Sequence, residues 1–272
     1  MRVAYPKPSP TGGRLIREVI AFLKQNGISL PLKSSLLIAV SGGSDSVALA
    51  HLLIHYGRKI GVPSQVRLLH VNHGWRGKDS DDDAVFVKNL AKRWGVPFST
   101  FRLKDAQKAA RGESWEDVAR KARKKIFRQQ AEKWRGIVFT AHHADDLAET
   151  VLWRLFTGAA QTHGGGIVVR HGVELRPFLR VRKKVLQHYL KEEGQSWRED
   201  ITNQEARFLR ARMRKELMAP IEHLFPRAVD RLVELALQAQ KRGEPWKSAP
   251  ELLFSSTGIT KKRLNLTGEV GT

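Results

Sequence analysis

A loop rich in glycine and serine is the first segment of the chain whose residue types could do chemistry. It reads Ser41, Gly42, Gly43, Ser44, Asp45, Ser46. Glycine allows a positive φ and lets a ligand approach the backbone closely, so that successive amide groups can point into one concavity. Serine hydroxyls add further hydrogen-bond donors. The string predicts a cradle for phosphate or pyrophosphate, although it has neither the lysine and spacing of a Walker A loop nor the GxGxxG pattern.

Asp45 is the acidic residue of this loop, and its carboxylate would repel a phosphate unless a cation lay between them. Mg²⁺ takes both carboxylate and phosphate oxygens as ligands, so Asp45 predicts a magnesium ion beside the phosphate. The alternative is a tight turn in which Ser44 serves as an ordinary helix N-cap. The buried strand predicted just before the loop favours the phosphate site, because ligands of parallel sheets bind beyond the carboxyl ends of the strands.

Histidines and carboxylates crowd into a second loop, which begins at His142 and reads HHADDLAET. His142 and Asp146 are four residues apart, and Asp146 and Glu149 are three apart, so each pair can share one face of a helix. Beside a phosphate loop, a hard cation held by the carboxylates is favoured over zinc. The alternative is that the acidic residues only stabilise the first turn of a helix.

The spacing of apolar residues indicates which elements must position these loops. Short continuous apolar runs predict strands buried on both faces, and amphipathic stretches predict helices. The predicted strands are 35–40, 66–71, 97–103 and 136–141, and the predicted helices among them are 14–26, 44–56, 81–94, 114–134 and 145–156. This alternation predicts an α/β fold, Rossmann-like, in which a mostly parallel sheet carries helices on both faces. The loops after Val40, Val71 and Ala141 should then meet at one edge of the sheet.

A small helical C-terminal unit is predicted from helices at 181–193, 206–218 and 224–241. The Gly-rich stretch 157–166 precedes it. We therefore predict a catalytic, ATP-binding domain at 1–165, a basic helical unit that contacts tRNA at 166–242, and a weakly patterned tail at 243–272.

The balance of charge points to a polyanionic partner. Lysine and arginine total 48 against 27 acidic residues, a formal net charge of +21. Neutralising phosphates releases counterions and drives binding, so nucleic acid is favoured over an anionic membrane surface. The chain has no cysteine, which excludes disulfides, thiolate zinc sites, iron–sulfur clusters and cysteine nucleophiles. No apolar run approaches the ~20 residues of a membrane helix, so we expect a cytoplasmic protein with no membrane partner.

Two predicted helices carry much of this positive charge. In the helix at 114–134, Val118, Ala122 and Ile126 form the predicted inward face and basic residues lie around it. In the helix at 206–218, arginines recur on one face and apolar residues on the opposite one. A charge run is usually only a solvated face, but two such runs beside a predicted phosphate site favour contact with phosphodiesters. The residues predicted to bind RNA are Arg120, Arg123, Arg207, Arg210, Arg212 and Arg214.

The string SGGSDS resembles the pyrophosphate loop of the N-type ATP pyrophosphatases, the PP-loop superfamily, whose fold is adenine nucleotide alpha-hydrolase-like. A longer set of motifs resembles the tRNA(Ile)-lysidine synthase family: HVNHGWRG from His70 followed by S..DA from Ser80, HHADD..ET from His142, and Asp200-Ile201-Thr202-Asn203. The likeness runs from about Ser35 to about Ala228. It implies a ligase that forms a carbon–nitrogen bond. ATP would adenylate the wobble cytidine of the isoleucine CAU anticodon at its 2-carbonyl oxygen, and the ε-amine of free L-lysine would displace AMP to give lysidine.

The resemblance also implies roles for residues of this chain. Residues 41–46 would grip the pyrophosphate of ATP, Asp45 and Asp146 would be the Mg²⁺ ligands, and His142 would lie near the adenylated base. Lysine must lose a proton before it attacks, and His142, Asp145 and Glu149 all stay open as the acceptor. The predicted catalytic residues are Asp45, His142, Asp146 and Glu149. The predicted cofactors are ATP and Mg²⁺, and the predicted partners are tRNA(Ile) and free lysine.

Three positions depart from the family pattern: Leu147 stands where a Gln is usual, Ile201 where a Pro is usual and Ala211 where an Asn is usual. Two other functions stay open. One is another PP-loop ligase that modifies tRNA or forms an amide, and the second is an RNA-binding relative without catalytic activity. The absence of cysteine disfavours the tRNA thiolases among these enzymes. The oligomeric state also stays open, with a homodimer as one arrangement.

Overall fold

The computed structural model centres on one sheet of mostly parallel strands. It describes residues 7–30, 33–74, 77–103, 115–159, 166–199 and 212–242. Within these residues the strands are β1 Ser35–Ala39, β2 Gln65–Asn72, β3 Phe98–Arg102, β4 Gly136–Phe139, β5 Arg170–His171 and β6 Glu174–Leu175. Their order across the sheet is β3-β2-β1-β4-β6-β5, and of these strands β5 runs antiparallel to its neighbour.

Apolar side chains on both faces of β1 explain why it lies in the middle of the sheet. Leu36, Leu37 and Ile38 are all buried, and β1 pairs in parallel with β2 on one side and with β4 on the other. The chain proceeds from β1 through β2 to β3 and then restarts with β4 on the opposite side of β1. Such a reversal is a topological switch point, where open parallel sheets leave a crevice beyond the carboxyl ends of their strands. The loops after β1 and β4 therefore flank that crevice.

Helices cover both faces of the sheet, which confirms the predicted α/β fold. In this part of the chain they are α1 Pro10–Gln25, α2 Ser44–Ile60, α3 Lys78–Arg93, α4 Trp115–Trp134, α5 Ala144–Phe156 and α6 Lys183–Glu192. Leu36 and Ile38 belong to a large apolar cluster with residues of α1, α2, α3, α5 and α6, whereas Leu37 belongs to a smaller cluster with residues of α4. The split follows from the two-residue period of a strand, which sends neighbouring side chains to opposite faces.

The buried face of α4 lies one residue away from the predicted one. Ala119, Phe127 and Ala131 are buried at 4% exposure or less, whereas the predicted inward residues, such as Ile126, are half-buried. Phe127 is the large side chain that packs against Leu37 and Val138 of the sheet. Its size fixes the rotation of the helix, because burying an aromatic ring removes more apolar surface from water than burying an alanine does.

The described part of the C-terminal unit begins with a widened helical turn. Met213–Met218 is a π-helix that runs directly into α7, Ala219–Leu224, and α8 follows at Ala228–Arg242. Met213 and Met218 are both buried, so the core residues recur at a spacing of five rather than at the α-helical spacing. Pro220 stands in the first turn of α7. Proline has no N–H and crowds the preceding turn, and the π turn relieves that crowding.

Some elements of the structure were not predicted. Strands β5 and β6 are among them, and they add residues 170–171 and 174–175 to the sheet. The division of the chain into domains at residue 165 stays a prediction. The predicted helix 206–218 lies partly outside the described residues. The motif at 200–203, Arg207, Arg210 and the tail 243–272 lie wholly outside them. Among the helices that the structure describes, none has both the length and the apolar composition that crossing a bilayer demands.

Candidate active site

The glycine-rich loop joins β1 to α2 and is closed by its own hydroxyl groups. Ser46 Oγ accepts a hydrogen bond from the amide of Ser41 at 3.1 Å and donates to the carbonyl oxygen of Gly43 at 3.0 Å. Gly42 has φ +105°, a conformation that side chains with a Cβ rarely adopt. These bonds fix the curvature of the loop around a central glycine pair.

The first turn of α2 faces the crevice without a side-chain cap. Gly43 is the N-cap residue and makes no side-chain cap bond, and the hydroxyl of Ser44 donates to Asp45 Oδ1 at 3.0 Å. The alternative in which Ser44 caps the helix is therefore wrong. The first amide groups of a helix have no partner within the helix, and the helix dipole adds partial positive charge at this end. The β1–α2 junction can thus receive an anion.

His143 is the residue on which the loops after β1 and β4 meet. Its Nε2 lies 3.5 Å from Asp45 Oδ2 and 3.4 Å from Asp146 Oδ2, and its Nδ1 lies 3.5 Å from Asp145 Oδ2. The side chain is 3% exposed. His143 is also the N-cap of α5, where its amide donates to Asp146 Oδ2 at 3.1 Å. The sequence pattern did not single out this histidine from its neighbour, because only the fold shows that three carboxylates surround it.

Electrostatics make His143 a buried cation. Burial by itself would lower its pKa, but the carboxylates of Asp146, Asp145 and Asp45 outweigh that effect and raise the pKa to about 10. Burial likewise would raise the pKa of Asp45, but His143 and Lys183 lower it below the usual value. An opposite charge within a few ångströms favours the charged form of each partner. At neutral pH both groups are therefore charged.

Asp145 is held by the segment that starts α6. Its Oδ1 accepts from Arg182 Nε at 3.0 Å, and its Oδ2 accepts from the amide of Lys183 at 2.8 Å. Burial would raise the pKa of Asp145, but the bonds from His143, Lys183 and Arg182 lower it strongly. Lys183 Nζ lies 3.8 Å from Asp45 Oδ2. Sequence reasoning did not select Arg182 or Lys183, although the basic run at the start of the predicted helix 181–193 was a signal for them.

Arg214 turns inward onto the carboxylates of α5. Its Nε donates to Glu149 Oε1, and its Nη2 lies 3.5 Å from Asp146 Oδ1. Burial raises the pKa of Glu149, and the opposing effect of Arg214 does not cancel that rise. The predicted role of Arg214 in RNA binding stays a prediction, because the described contacts of this side chain are with the site itself.

The remaining predicted residues include His142 and two arginines of α4. His142 Nδ1 lies 3.1 Å from Thr140 Oγ1. Burial lowers the pKa of His142 to about 4; Asp146 opposes this shift, while Arg176 and Arg123 add to it. Arg123 is half-buried and Arg120 is exposed on α4.

Of the three predicted RNA-binding arginines between residues 207 and 212, the structure describes one. Arg212 is exposed and pairs with Glu216 at 3.0 Å. Arg207 and Arg210 lie outside the described residues.

Leu147, which departs from the family pattern, is fully buried and would contact any Cβ added at Gly166. An apolar residue therefore suits that position in this chain.

Asp45 and Asp146 fit a magnesium ion as partial ligands. Their carboxylates approach the same nitrogen of His143, and both are about a quarter exposed. Over the described ranges, no group of three or more histidine, cysteine or acidic side chains is arranged to hold a metal ion by itself. Mg²⁺ usually takes one or two carboxylates and completes its shell with phosphate oxygens and water. The carboxylates of Asp45 and Asp146, beside the predicted phosphate cradle, match this coordination preference.

Comparisons with known proteins agree with this geometry. The PP-loop domain family matches residues 14–221. A tRNA(Ile)-lysidine synthase of Thermus thermophilus is 40% identical over 229 residues, which are 83% of this chain and 43% of that protein. A tRNA(Ile)-lysidine synthase of Chlamydia pneumoniae is 35% identical over 237 residues, covering 81% of this chain and 70% of that protein. The chain thus spans less than half the length of the Thermus relative.

A solved structure shows the same fold. The U34-tRNA thiolase NcsA from Methanococcus maripaludis aligns with a TM-score of 0.66 over 83% of this chain and 78% of its own, at 16% sequence identity. That likeness concerns the fold alone. The family match and the lysidine synthase relatives go further: this chain belongs to the PP-loop domain family and, within it, to the tRNA(Ile)-lysidine synthase family.

Proposed function

We propose that this chain makes lysidine, using ATP to join free lysine to the wobble cytidine of a tRNA(Ile) with the anticodon CAU. The observation that carries the proposal is the meeting of Asp45 and Asp146 on His143. It brings the phosphate cradle and the acidic turn of α5 to one place, at the switch point of the sheet. Membership of the lysidine synthase family then indicates which substrates would use such a site.

In the first step, the 2-carbonyl oxygen of cytidine attacks the α-phosphorus of ATP. The bond between the α-phosphorus and the bridging oxygen breaks, and pyrophosphate leaves with the electron pair. The amides of residues 42–46 and the N-terminus of α2 receive this anion. Lys183, whose Nζ lies 3.8 Å from Asp45 Oδ2, adds positive charge on the same side. Donors fixed before the reaction stabilise charge as it develops.

Asp45 and Asp146 would hold Mg²⁺ in this site. A bound magnesium ion neutralises charge on the phosphates and on the departing pyrophosphate. His143 and Lys183 lower the pKa of Asp45, which keeps that carboxylate ionised for the task.

In the second step, the ε-amine of lysine attacks C2 of the adenylated base, and AMP leaves with the electrons of the C–O bond. Of the three open proton acceptors, Asp145 is held by Arg182, Lys183 and His143, which removes it from this task. His142, with a pKa of about 4, is a weak base. Glu149 has a raised pKa, and its described partner is the side chain of Arg214 rather than a backbone amide. Glu149 therefore takes the proton from lysine.

The RNA would lie on the basic surface beside the site. Arg120 and Arg123 of α4 offer positive charge there, and the charge of Arg123 lowers the pKa of His142. An unpaired base can stack on arginine, as recognition of single-stranded RNA requires. Work on tRNA with ATP and free lysine fits a cytoplasmic enzyme, and a homodimer remains part of the proposal to be tested by its mass in solution.

The test incubates the protein with ATP, Mg²⁺, labelled lysine and tRNA(Ile) bearing CAU. We expect one lysine per tRNA together with one AMP and one pyrophosphate, and no incorporation into methionine tRNA. Release of AMP with a different nucleophile would indicate another PP-loop ligase. Tight RNA binding without AMP would indicate a non-catalytic relative. Either result contradicts the proposed function.

A further inference from the structure

The carbonyl group of Gly42 is held from outside the phosphate loop. It accepts a hydrogen bond from the amide of Arg198 at 3.0 Å, whereas the bonds within the loop run between Ser41, Gly43 and Ser46. Arg198 lies in the segment that follows α6, far along the chain from the loop. The glycine with the positive φ is therefore fixed by a residue of another element.

The side chain of Arg198 continues past Gly42 to α3. Its Nε donates to Asp83 Oδ1, and the Asp83 side chain is 12% exposed. A Cβ built on Gly42 would lie 3.9 Å from the same oxygen of Asp83 and 3.6 Å from the ring of Phe86. Gly42 thus lies directly over α3, and Arg198 bonds to both. Arg198 therefore joins two elements: its backbone amide bonds to the loop, and its guanidinium bonds to α3.

Charge gives this contact a second role. The carboxylate of Asp83 lies so close to the phosphate loop that it opposes the binding of an anion, because two negative charges at short distance in a partly buried site repel each other strongly. A charge-assisted bond from arginine offsets the negative charge of Asp83 and fixes its orientation. The 38% exposure of the arginine side chain leaves it at the surface of the crevice.

We infer that Arg198 is a positioning residue of the pyrophosphate site: it clamps Gly42 to α3 and offsets the charge of Asp83, so that the loop amides are set for the leaving pyrophosphate. This inference rests on the proposed function, because it takes pyrophosphate as the anion that the loop holds. Arg198 acts through Gly42 and Asp83 and touches no reacting atom.

The test measures pyrophosphate affinity by calorimetry, and the KM values for ATP and lysine, in the full chain. Loss of one charge-assisted bond corresponds to a change of about tenfold. We expect Arg198→Gln to weaken pyrophosphate binding and to raise the KM for ATP by about tenfold, with the KM for lysine unchanged. Arg198→Lys, which keeps the charge, should lose less. The control Arg180→Gln removes an exposed arginine that bonds to Gln25, and it should match the wild type.

The double variant Asp83→Asn/Arg198→Gln separates positioning from simple loss of stability. Removing the negative charge of Asp83 should recover part of the pyrophosphate affinity that Arg198→Gln loses. A double variant no better than the single one, or an Arg198→Gln protein with wild-type pyrophosphate affinity, overturns the inference. Calorimetry needs no turnover, so a wild type that binds pyrophosphate without making lysidine fails only the proposed function. A wild type that binds no pyrophosphate overturns both.

Discussion

His143 holds together carboxylates that would otherwise repel one another. Asp45 comes from the first turn of α2, and Asp145 and Asp146 come from the first turn of α5. Each places an oxygen within 3.5 Å of the imidazole. A cation shared in this way has a structural task that precedes catalysis, since it sets the separation of the two carboxylates proposed to hold Mg²⁺.

Replacing His143 with glutamine tests this task. The amide carries no charge, so the three carboxylates lose their shared cation, and breaking a partly buried ion pair is destabilising. We expect the free energy of unfolding to fall by about 2 kcal/mol at pH 7 without Mg²⁺. The measurement is denaturant unfolding followed by circular dichroism. His188→Gln is the control, because His188 is exposed and pairs only at the surface with Glu192; equal unfolding midpoints for the two variants would contradict the central role of His143.

Residue types and spacing predicted much of this centre, but not its partners. Asp45 was selected because a carboxylate beside a phosphate loop suits Mg²⁺, whereas the resemblance to the lysidine synthase family implied the same role for Asp146. The bond from Arg214 to Glu149 joins residues 65 positions apart, and no local pattern reveals such a contact. His143 differs from His142 only in its surroundings, which the fold decides.

At the scale of elements, the packing of α2 against α6 contains a buried histidine. His51 Nδ1 lies 2.7 Å from the hydroxyl of Tyr189. Burial lowers the pKa of His51 to about 4, and the charge of His55 adds to the shift while Glu193 opposes it. The neutral form is thus the one that this helix interface accepts.

The interface should therefore lose stability in acid. The pKa of His51 is about 4 in the folded chain, below its usual value of 6.5, so the unfolded chain binds more protons between these two pH values. The stabilising contribution is complete above pH 6.5 and is lost as the pH falls towards 4, by up to about 3 kcal/mol. Unfolding free energies at pH 7.5 and 4.5 should differ less in His51→Gln than in the wild type. An equal acid loss in both proteins would contradict this account.

Elements with long, regular patterns could be predicted, and short or irregular ones could not. The apolar runs of β1 and β2 are unmistakable, because a strand buried on both faces needs them. Strands β5 and β6 have two residues each, too few for any period. The π turn at Met213–Met218 places its two buried residues five positions apart. Burial of Phe127 moves the inward face of α4 by one residue from the predicted face. Tertiary packing decides both.

At the scale of the whole molecule, the surplus of positive charge governs the encounter with RNA. The net charge of +21 predicts that the logarithm of the tRNA binding constant falls steeply and linearly with the logarithm of salt concentration. Arg120→Ala should reduce that slope by about one unit or slightly less. Lys92→Ala on α3 is the control, because α3 packs on the other face of the sheet from α4. Filter binding at several salt concentrations measures both, and a flat salt response would contradict RNA as the polyanionic partner.

The most direct test of the central claim is single-turnover AMP release by Asp45→Asn and Asp146→Asn. Both variants keep the shape of the side chain and remove one of the two carboxylates that meet on His143. We predict a loss in rate of roughly 100-fold or more in each. Affinity for tRNA should stay within about twofold of the wild type, and the control Glu234→Gln, on the exposed pair with Arg231, should release AMP normally. Wild-type rates in either aspartate variant would contradict the claim that these two loops form the ATP site.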